Sequence, residues 1–246
     1  MSVYASLIKK LKSQKLHMTL LDPDKQSPER AGEIASNAYS VGTDAIMIGG
    51  STGVTTQLLD ETVQAIKKRV DIPVILFPTN VKTISKFADA IYFMSMLNSR
   101  DIRFIVREQM KGAPIIKKLN IEPISLGYII VEPGMKAGEV GNAEAVKRND
   151  MDTAVGYALS AEYLGMKLVY LEAGSGAPEP VPKDMIKAVK NSISIPLIVG
   201  GGIRTKESAE GVISAGADII VTGTLVENHD DALPTLKDII KIVKRK

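Results

Sequence analysis

The sequence predicts a closed (β/α)₈ barrel of parallel strands, a TIM barrel with a shortened or irregular third helical unit. Eight short runs rich in Ile, Val, Leu and Met recur along the 246 residues, and such runs are typical of strands buried on both faces. Most intervals between them have helical periodicity, which implies parallel pairing through right-handed crossovers. Eight such units in this length match a closed barrel. A doubly wound open sheet is the alternative.

The predicted strands occupy residues 17–23, 44–50, 72–78, 89–97, 122–131, 167–174, 195–202 and 217–224. A helix after the first strand begins at Ser27-Pro28 and ends near Gly42, with the residues that start and stop helices. The segments "TTQLLDETVQAIKKRV" and "TKESAEGVISAGA" space their apolar residues three and four apart, as amphipathic helices do. After the fifth strand a Gly-rich loop precedes a helix from about Asp150.

The third unit is the irregular one. Only about ten residues separate Pro78 from Asp89, which suffices for a short helix around "VKTISKFA" but not for a full crossover. We therefore expect the side of the barrel to be open there to a long chain. No linker or low-complexity tract interrupts the sequence, so we predict one domain over residues 1–246.

Composition excludes several classes of protein. Hydrophobic residues make up 45% and charged residues 24% of the chain, and the net charge of +3 is scattered, which does not indicate a nucleic-acid surface. The absence of cysteine excludes disulfides, thiolate metal sites and a thiol nucleophile. No apolar run reaches the ~18 residues of a membrane span, and the N-terminal sequence lacks the apolar region of a signal peptide. We expect a soluble, cytoplasmic protein.

Glycines end three neighbouring strands, in "EAGSG", "IVGGG" and "VTGT". The active site of such a barrel lies at the C-terminal ends of the strands, and phosphate is often bound after strands seven and eight. Glycine lets backbone N–H groups approach an anion closely. The sequence thus predicts a phosphate site at Gly174–Gly176, Gly200–Gly202, Gly223 and Thr224, although the same glycines could merely form tight turns.

Hard oxygen ligands follow the first two strands. Asp22 and Asp24 stand in "LLDPDK", and Ser51 and Thr52 stand in "IGGSTG". Magnesium suits such a site because it shares few protein ligands with water and substrate phosphates. The Asp-Pro-Asp sequence could instead form a turn that caps the next helix.

Eight motifs occur in an order that resembles the geranylgeranylglyceryl phosphate synthases, a family that shares its fold with bacterial heptaprenylglyceryl phosphate synthases. The motifs are "LLDPDK", "DAIMIGGSTGVT", "FPTN", "MLNS", "GYIIVEPG", "YLEAGSGAPEPVP", "IVGGGIRT" and "IIVTGT", and together they cover nearly the whole chain. The resemblance implies a magnesium-dependent prenyltransferase that joins geranylgeranyl diphosphate to the C3 hydroxyl of sn-glycerol 1-phosphate. That reaction makes the first ether bond of archaeal membrane phospholipids. The resemblance also implies a homo-oligomer.

The resemblance assigns roles residue by residue. Asp22 and Ser51 would bind Mg²⁺ and, through it, the donor diphosphate; Glu172 would accept or orient the proton of the attacking hydroxyl, assisted by Tyr170. Glycerol phosphate would be held by Tyr170, Leu171, Glu172, Ala173, Gly174, Ser175, Gly176, Gly201, Gly202, Gly223 and Thr224. Independently, Tyr170 and Glu172 are two residues apart on a strand and so point to the same face. Tyr170 could also be a packing residue of the barrel, and Glu172 an ion-pair partner or a ligand of another hydroxyl.

Other interpretations stay open at this point. A longer prenyl donor would make the chain a heptaprenylglyceryl phosphate synthase, and a metal-independent isomerase would use Asp22 and Glu132 as acid and base. A third interpretation is a binding or assembly protein that has kept the barrel but has no catalytic activity. "MSMLNS" and "LGYIIVEPG" could supply a prenyl groove but are more typical of barrel core, and the basic "KDIIKIVKRK" allows at most peripheral membrane contact. Arg100 and Arg103 favour a solvated helix face over diphosphate contact, and His17 and His229 are interpreted as structural.

Overall fold

Eight parallel strands close into a barrel in chain order in the computed structural model, which describes residues 1–50, 53–223 and 232–245. The first strand pairs with the last as well as with the second, so the barrel is closed and the open sheet is excluded. All eight predicted strands are confirmed. They are β1 Leu16–Leu21, β2 Ala45–Gly49, β3 Val74–Phe77, β4 Ala90–Met96, β5 Glu122–Ile130, β6 Leu168–Glu172, β7 Leu197–Gly200 and β8 Ile219–Thr222.

Helices cover the outside of the barrel and one end. They are α1 Val3–Leu11, α2 Pro28–Ser40, α3 Thr56–Lys67, α4 Glu108–Leu119, α5 Met135–Val140, α6 Met151–Tyr163, α7 Lys183–Ser192, α8 Lys206–Ser214 and α9 Ala232–Val243, and a π-helical turn at Arg103–Arg107 precedes α4. The predicted starts of α2 and α6 are confirmed, because the side chains of Ser27 and Asp150 accept the hydrogen bonds that cap them. Asp24 is not the cap of α2. None of the helices in the described ranges is long and apolar enough to cross a membrane.

The predicted short helix of the third unit is wrong: the segment between β3 and β4 consists of turns and bends. Its polar side chains bond to nearby backbone instead, a competition that disfavours helix. Thr83 Oγ1 donates to Asn80 O at 2.7 Å, Asn80 Oδ1 accepts from Lys82 N at 2.8 Å, and Ser85 Oγ accepts from Phe87 N at 3.3 Å. In the described ranges, therefore, no helix connects β3 to β4 across the outer face of the barrel.

Helix α1 closes the N-terminal end of the barrel, a feature that the sequence did not predict. The carboxylate of Glu122, at the start of β5, accepts hydrogen bonds from Val3 N at 2.5 Å and Tyr4 N at 3.0 Å. Leu7 is buried against the apolar side chains that fill the barrel interior. Because α1 closes this end, small molecules cannot enter the barrel through the N-terminal ends of the strands.

Candidate active site

The carboxylate of Glu172, the last residue of β6, is the only charged side chain buried at the C-terminal ends of the strands in the described residues, with 6% of the residue exposed. Gly174 N donates to its Oε1 at 2.6 Å, and the hydroxyls of Tyr170 and Tyr128 donate two more hydrogen bonds. Burial raises the pKa of this carboxyl above its usual value, and the three hydrogen bonds partly oppose that rise. The carboxylate of Glu172 thus has a fixed orientation and is more basic than an exposed glutamate.

The two tyrosines lie side by side on neighbouring strands. Tyr128 of β5 is in register with Tyr170 of β6, and their rings meet edge to face with 5.2 Å between centroids. Burial raises the pKa of both hydroxyls well above the usual value, with the charge of Glu172 as the second cause, so both remain proton donors. Tyr170 both packs and contacts Glu172, which reconciles the two predicted roles.

The sequence analysis missed Tyr128. Its position in "GYII" shows that it shares a face with Ile130, but the register between β5 and β6 is not readable from one sequence. The register between β5 and β6 brings the hydroxyl of Tyr128 to the carboxylate of Glu172.

A small polar pocket opens beside Glu172 at the ends of β6, β7 and β8. It is lined by Leu20, Tyr170, Glu172, Ser175, Gly176, Gly201, Gly202, Ile203, Arg204, Val221, Thr222 and Gly223. Seven of the predicted residues therefore lie together, and they come from β6 and from the loops that follow β6, β7 and β8. The geometry agrees with an anion site at the place where the sequence predicted one.

Two of these glycines are required by close backbone approach as well as by conformation. Gly201 and Gly202 have φ of +84° and +72°, in the left-handed region. A Cβ on Gly202 would lie 2.4 Å from the carbonyl of Glu179, and one on Gly201 would lie 2.6 Å from Glu172 Oε1. Gly223 differs, since a Cβ there would meet only ordinary contacts at 3.4 Å or more. The backbone of the loop after β7 thus packs so closely against the loop after β6 that only glycine fits at these two positions.

Arg204 supplies a cation to this pocket that the sequence analysis did not single out. Its Nη2 donates to Gly176 O at 2.7 Å, which joins the loops after β6 and β7. The sequence carried a signal for this residue, because Arg204 comes two residues after the triple glycine within "IVGGGIRT". A guanidinium at a glycine-lined mouth is well suited to a phosphate.

Five of the predicted site residues either do not line the pocket or lie outside the described residues. The side chains of Leu171 and Ala173 point away from the pocket and pack in the layer between strands and helices, because successive side chains alternate across a strand. Gly174 acts through its N–H on Glu172 and does not line the pocket. Ser51 and Thr224 lie outside the described residues.

An apolar cleft opens on the side of the barrel that lacks a helix, as the sequence predicted from the cramped third unit. It has a volume of about 540 Å³, counting its open mouth. The lining comprises Pro78, Thr79, Asn80, Val81, Ile84, Ile91, Tyr92, Phe93, Met94, Met96, Phe104, Glu108, Gln109, Gly112, Ile116 and Tyr128. Part of "MSMLNS" and the tyrosine of "LGYIIVEPG" therefore face the cleft. Tyr128 borders the cleft with its ring while its hydroxyl contacts Glu172.

Asp22 lies at the C-terminal end of β1, above the end of β2. A Cβ on Gly49 would lie 2.1 Å from Asp22 Oδ1, so the glycine leaves the room that this carboxylate occupies. Lys25 Nζ pairs with Asp22 Oδ2 at 2.6 Å, and the carboxylate is partly exposed. A partly exposed carboxylate is the kind of hard oxygen ligand that Mg²⁺ can share with a substrate phosphate. No cluster of three or more His, Asp or Glu side chains in the described part of the chain could hold a metal ion.

The remaining candidates line neither pocket. Glu132 is exposed and accepts from Arg148 N at 3.4 Å, Arg100 pairs with exposed Glu144, and Arg103 is exposed. His17 is fully buried on the outer face of β1, as its structural interpretation requires.

Comparison with known proteins shows which family this chain is similar to. The model of the PcrB family matches residues 8–243. A geranylgeranylglyceryl phosphate synthase from Picrophilus torridus is 51% identical over 99% of this chain and 100% of its own, and one from Thermococcus gammatolerans is 57% identical over 89% and 86%. The crystal structure of (S)-3-O-geranylgeranylglyceryl phosphate synthase from Thermoplasma acidophilum, in complex with substrate sn-glycerol-1-phosphate, superimposes with a TM-score of 0.97. The two chains are 44% identical and each is 99% covered.

Proposed function

Because this chain belongs to the PcrB family, we propose that it is a geranylgeranylglyceryl phosphate synthase. It transfers a geranylgeranyl group from geranylgeranyl diphosphate to the C3 hydroxyl of sn-glycerol 1-phosphate. The product carries the first ether bond of archaeal membrane phospholipids. The relatives' activity and the acceptor bound to the Thermoplasma acidophilum enzyme support this proposal.

One observation carries the assignment of the chemistry to residues: Glu172 lies between two pockets of opposite character. Tyr170 lines the polar pocket, Tyr128 lines the apolar cleft, and both hydroxyls donate to the same carboxylate. A transferase that joins a phosphorylated alcohol to a hydrocarbon chain needs this juxtaposition, because the two reacting atoms must meet at one point.

The polar pocket takes the acceptor. Its phosphate lies against the glycine backbone of the loops after β6, β7 and β8, and Arg204 provides the compensating charge. The C3 hydroxyl then points to Glu172. Because burial raises the pKa of that carboxyl, it is a stronger base than an exposed glutamate and can accept the hydroxyl proton.

The apolar cleft takes the hydrocarbon chain of the donor, with the diphosphate toward Asp22. Asp22 and Ser51 would hold Mg²⁺, which when bound neutralises charge that develops on the leaving diphosphate. In the transfer, the acceptor oxygen forms a bond to the allylic carbon of the donor. The bond from that carbon to diphosphate breaks, diphosphate leaves with the bonding pair, and the hydroxyl proton passes to Glu172.

Product formation by the purified protein tests this function. Geranylgeranyl diphosphate is offered with sn-glycerol 1-phosphate or its 3-phosphate enantiomer, in magnesium or in excess chelator. We expect ether product from the 1-phosphate alone and only with magnesium. Turnover with heptaprenyl diphosphate but not with the C20 donor would keep the reaction and change the donor, whereas inactivity with every prenyl donor would contradict the proposal.

The metal-independent isomerase lacks support in the described geometry. It needs Asp22 and Glu132 across one mouth, but Glu132 is exposed and hydrogen-bonded to the backbone of Arg148. We further propose a cytoplasmic homo-oligomer, which the family resemblance supports. Light scattering of the purified protein tests the oligomeric state.

A further inference from the structure

The π-helical turn at Arg103–Arg107 and helix α4 border the apolar cleft, and together they expose large apolar side chains on their outer face. The inner face of this segment lines the cleft through Phe104, Gln109 and Gly112. Its outer face exposes Ile102, Val106 and Met110, whose exposed fractions are 48%, 51% and 62%. Large apolar side chains exposed at every fourth position are not required for packing, because the opposite face already supplies the contacts with the barrel.

A basic row accompanies the apolar one. Arg103, Arg107 and Lys111 each follow one residue after an exposed apolar residue, and Lys117 and Lys118 extend the row along α4. Glu108 pairs with both Arg103 and Lys111, but it faces the protein and is only 13% exposed. In the described residues Arg107, Lys117 and Lys118 have no ion-pair partner, so the outer face is net positive.

We propose that this outer face, the cleft rim of Ile102, Val106 and Met110 with Arg103, Arg107 and Lys111, docks on a membrane surface rich in anionic lipid headgroups. Apolar side chains beside cations are the composition that inserts at the boundary between headgroups and acyl chains. The cations meet anionic headgroups while the apolar row enters the interface. The cleft that opens on the other face of the same segment then lies at the membrane, where a diphosphate with a long hydrocarbon chain partitions.

Charge decides between a membrane and a second copy of the chain. A symmetric contact through this face would oppose one basic row to another, and like charges face to face are repulsive. An anionic bilayer neutralises the row without a matching acidic surface. The membrane is therefore the occupant that the composition of the rim favours.

Cosedimentation of the full chain with vesicles tests the proposal without any turnover. The use of the cleft for a prenyl donor rests on the proposed function, but vesicle binding does not, so the two can fail separately. We expect binding to vesicles of phosphatidylglycerol and phosphatidylcholine, no binding to phosphatidylcholine alone, and loss of binding as salt is raised. Each surface cation contributes about fivefold in affinity, so R107Q/K117Q should bind about 25-fold more weakly.

Matched variants separate the rim from general effects of charge and hydrophobicity. K9Q/K12Q removes two exposed cations from α1 at the opposite end of the barrel, and Y163S/L164S removes two exposed apolar residues near the end of α6. Both should bind vesicles like the unaltered chain, whereas V106S/M110S should lose binding. Circular dichroism verifies the fold of each variant.

The proposal is overturned if the unaltered chain does not bind anionic vesicles at low salt, binds neutral vesicles equally well, or if R107Q/K117Q binds like K9Q/K12Q. It is also overturned if V106S/M110S converts an oligomer to a monomer in the absence of lipid, because the rim would then be an interface between copies.

Discussion

Three hydrogen-bond donors hold one buried carboxylate, and this arrangement sets the residue-scale chemistry. Gly174 N, Tyr170 and Tyr128 fix the orientation of Glu172, while burial makes it basic. A carboxylate that is both oriented and basic can position the acceptor hydroxyl and receive its proton, so its removal should affect turnover more than binding.

Glu172→Gln should lower kcat by about 10²–10³-fold, because the amide keeps the shape but cannot accept the proton. The acceptor KM should change little, since the phosphate is held by the glycine loops and Arg204. Steady-state kinetics with varied sn-glycerol 1-phosphate measure both parameters. Unchanged turnover would remove Glu172 from the mechanism.

Tyr128→Phe should move the acidic limb of the kcat/KM profile to higher pH. The variant loses a donor to the charged form of Glu172, so the pKa of that carboxyl rises and less of the base is present at a given pH. Tyr92→Phe is the matched control, because Tyr92 belongs to the same interior cluster but its hydroxyl contacts Met18 Sδ at 3.2 Å. If both variants shift the limb equally, the effect does not depend on the contact with Glu172.

Gly202→Ala should destabilise the protein by about 2–5 kcal/mol, from a left-handed φ together with overlap with the Glu179 carbonyl. Gly176→Ala isolates the conformational part, because its φ is +81° but no atom lies within 4 Å of its Cβ, and it should cost about 1–2 kcal/mol. Urea denaturation of both variants measures the difference. Equal losses would show that close approach contributes nothing.

Among the secondary-structure elements, the connection between β3 and β4 produces the apolar cleft, because it contains no helix that would cover this side of the barrel. The turns between β3 and β4 leave one face of the strands and of α4 uncovered, and Gly112 of α4 stands at this surface. A Cβ added at Gly112 would make only ordinary van der Waals contacts, at 3.7–3.8 Å from side-chain atoms of Ile84, Ile116 and Val81. Space beyond the Cβ of residue 112 is therefore continuous with the cleft.

Gly112→Phe should fill this space and shorten the prenyl chain that the cleft accepts. We expect the ratio of kcat/KM for C20 over C10 donors to fall by at least about tenfold. Gly112→Ala is the control, because a methyl group fits; it should leave the ratio unchanged and stabilise α4 by about 0.5–1 kcal/mol. A ratio unaffected by phenylalanine would mean that the chain lies elsewhere.

At the scale of the whole molecule, buried polar side chains join the strands where the barrel closes. His17 of β1 bonds Thr43 Oγ1 at 2.9 Å and Thr222 Oγ1 of β8 at 3.0 Å. Burial, and secondarily the charge of Lys244, lower the pKa of its imidazole to about 3. The neutral imidazole thus links β1 to β8 through a hydrogen bond. The end of β8 also borders the polar pocket.

This closure should make stability depend on pH. The unfolded chain protonates His17 near pH 6.5 but the folded chain only near pH 3, so the contribution is complete above pH 6.5 and is lost as pH falls below it. The loss is about 1.4 kcal/mol per pH unit between these limits. An NMR titration should show the His17 ring signals in the neutral form down to about pH 4, and a midpoint near 6.5 would contradict this account.

The barrel, the order of its eight strands and the loops that form the polar pocket are all predictable from the sequence. Period and glycine placement are local properties, and in a parallel barrel all C-terminal strand ends meet at one rim, so strand order suffices to gather Glu172, Gly201 and Gly223. The sequence also located the open side of the barrel, because ten residues between β3 and β4 are too few for a crossover with a full-length helix.

The contacts between side chains on different strands, in contrast, are visible only in the folded barrel. The register of β5 against β6 brings Tyr128 to Glu172, the pleat sends Leu171 and Ala173 outward, and side chain–backbone bonds prevent the expected helix after β3. These outcomes depend on pairing between residues far apart in the chain or on competition among local hydrogen bonds. A single sequence specifies neither until the barrel has closed, because one residue of register shift exchanges every inward side chain for an outward one.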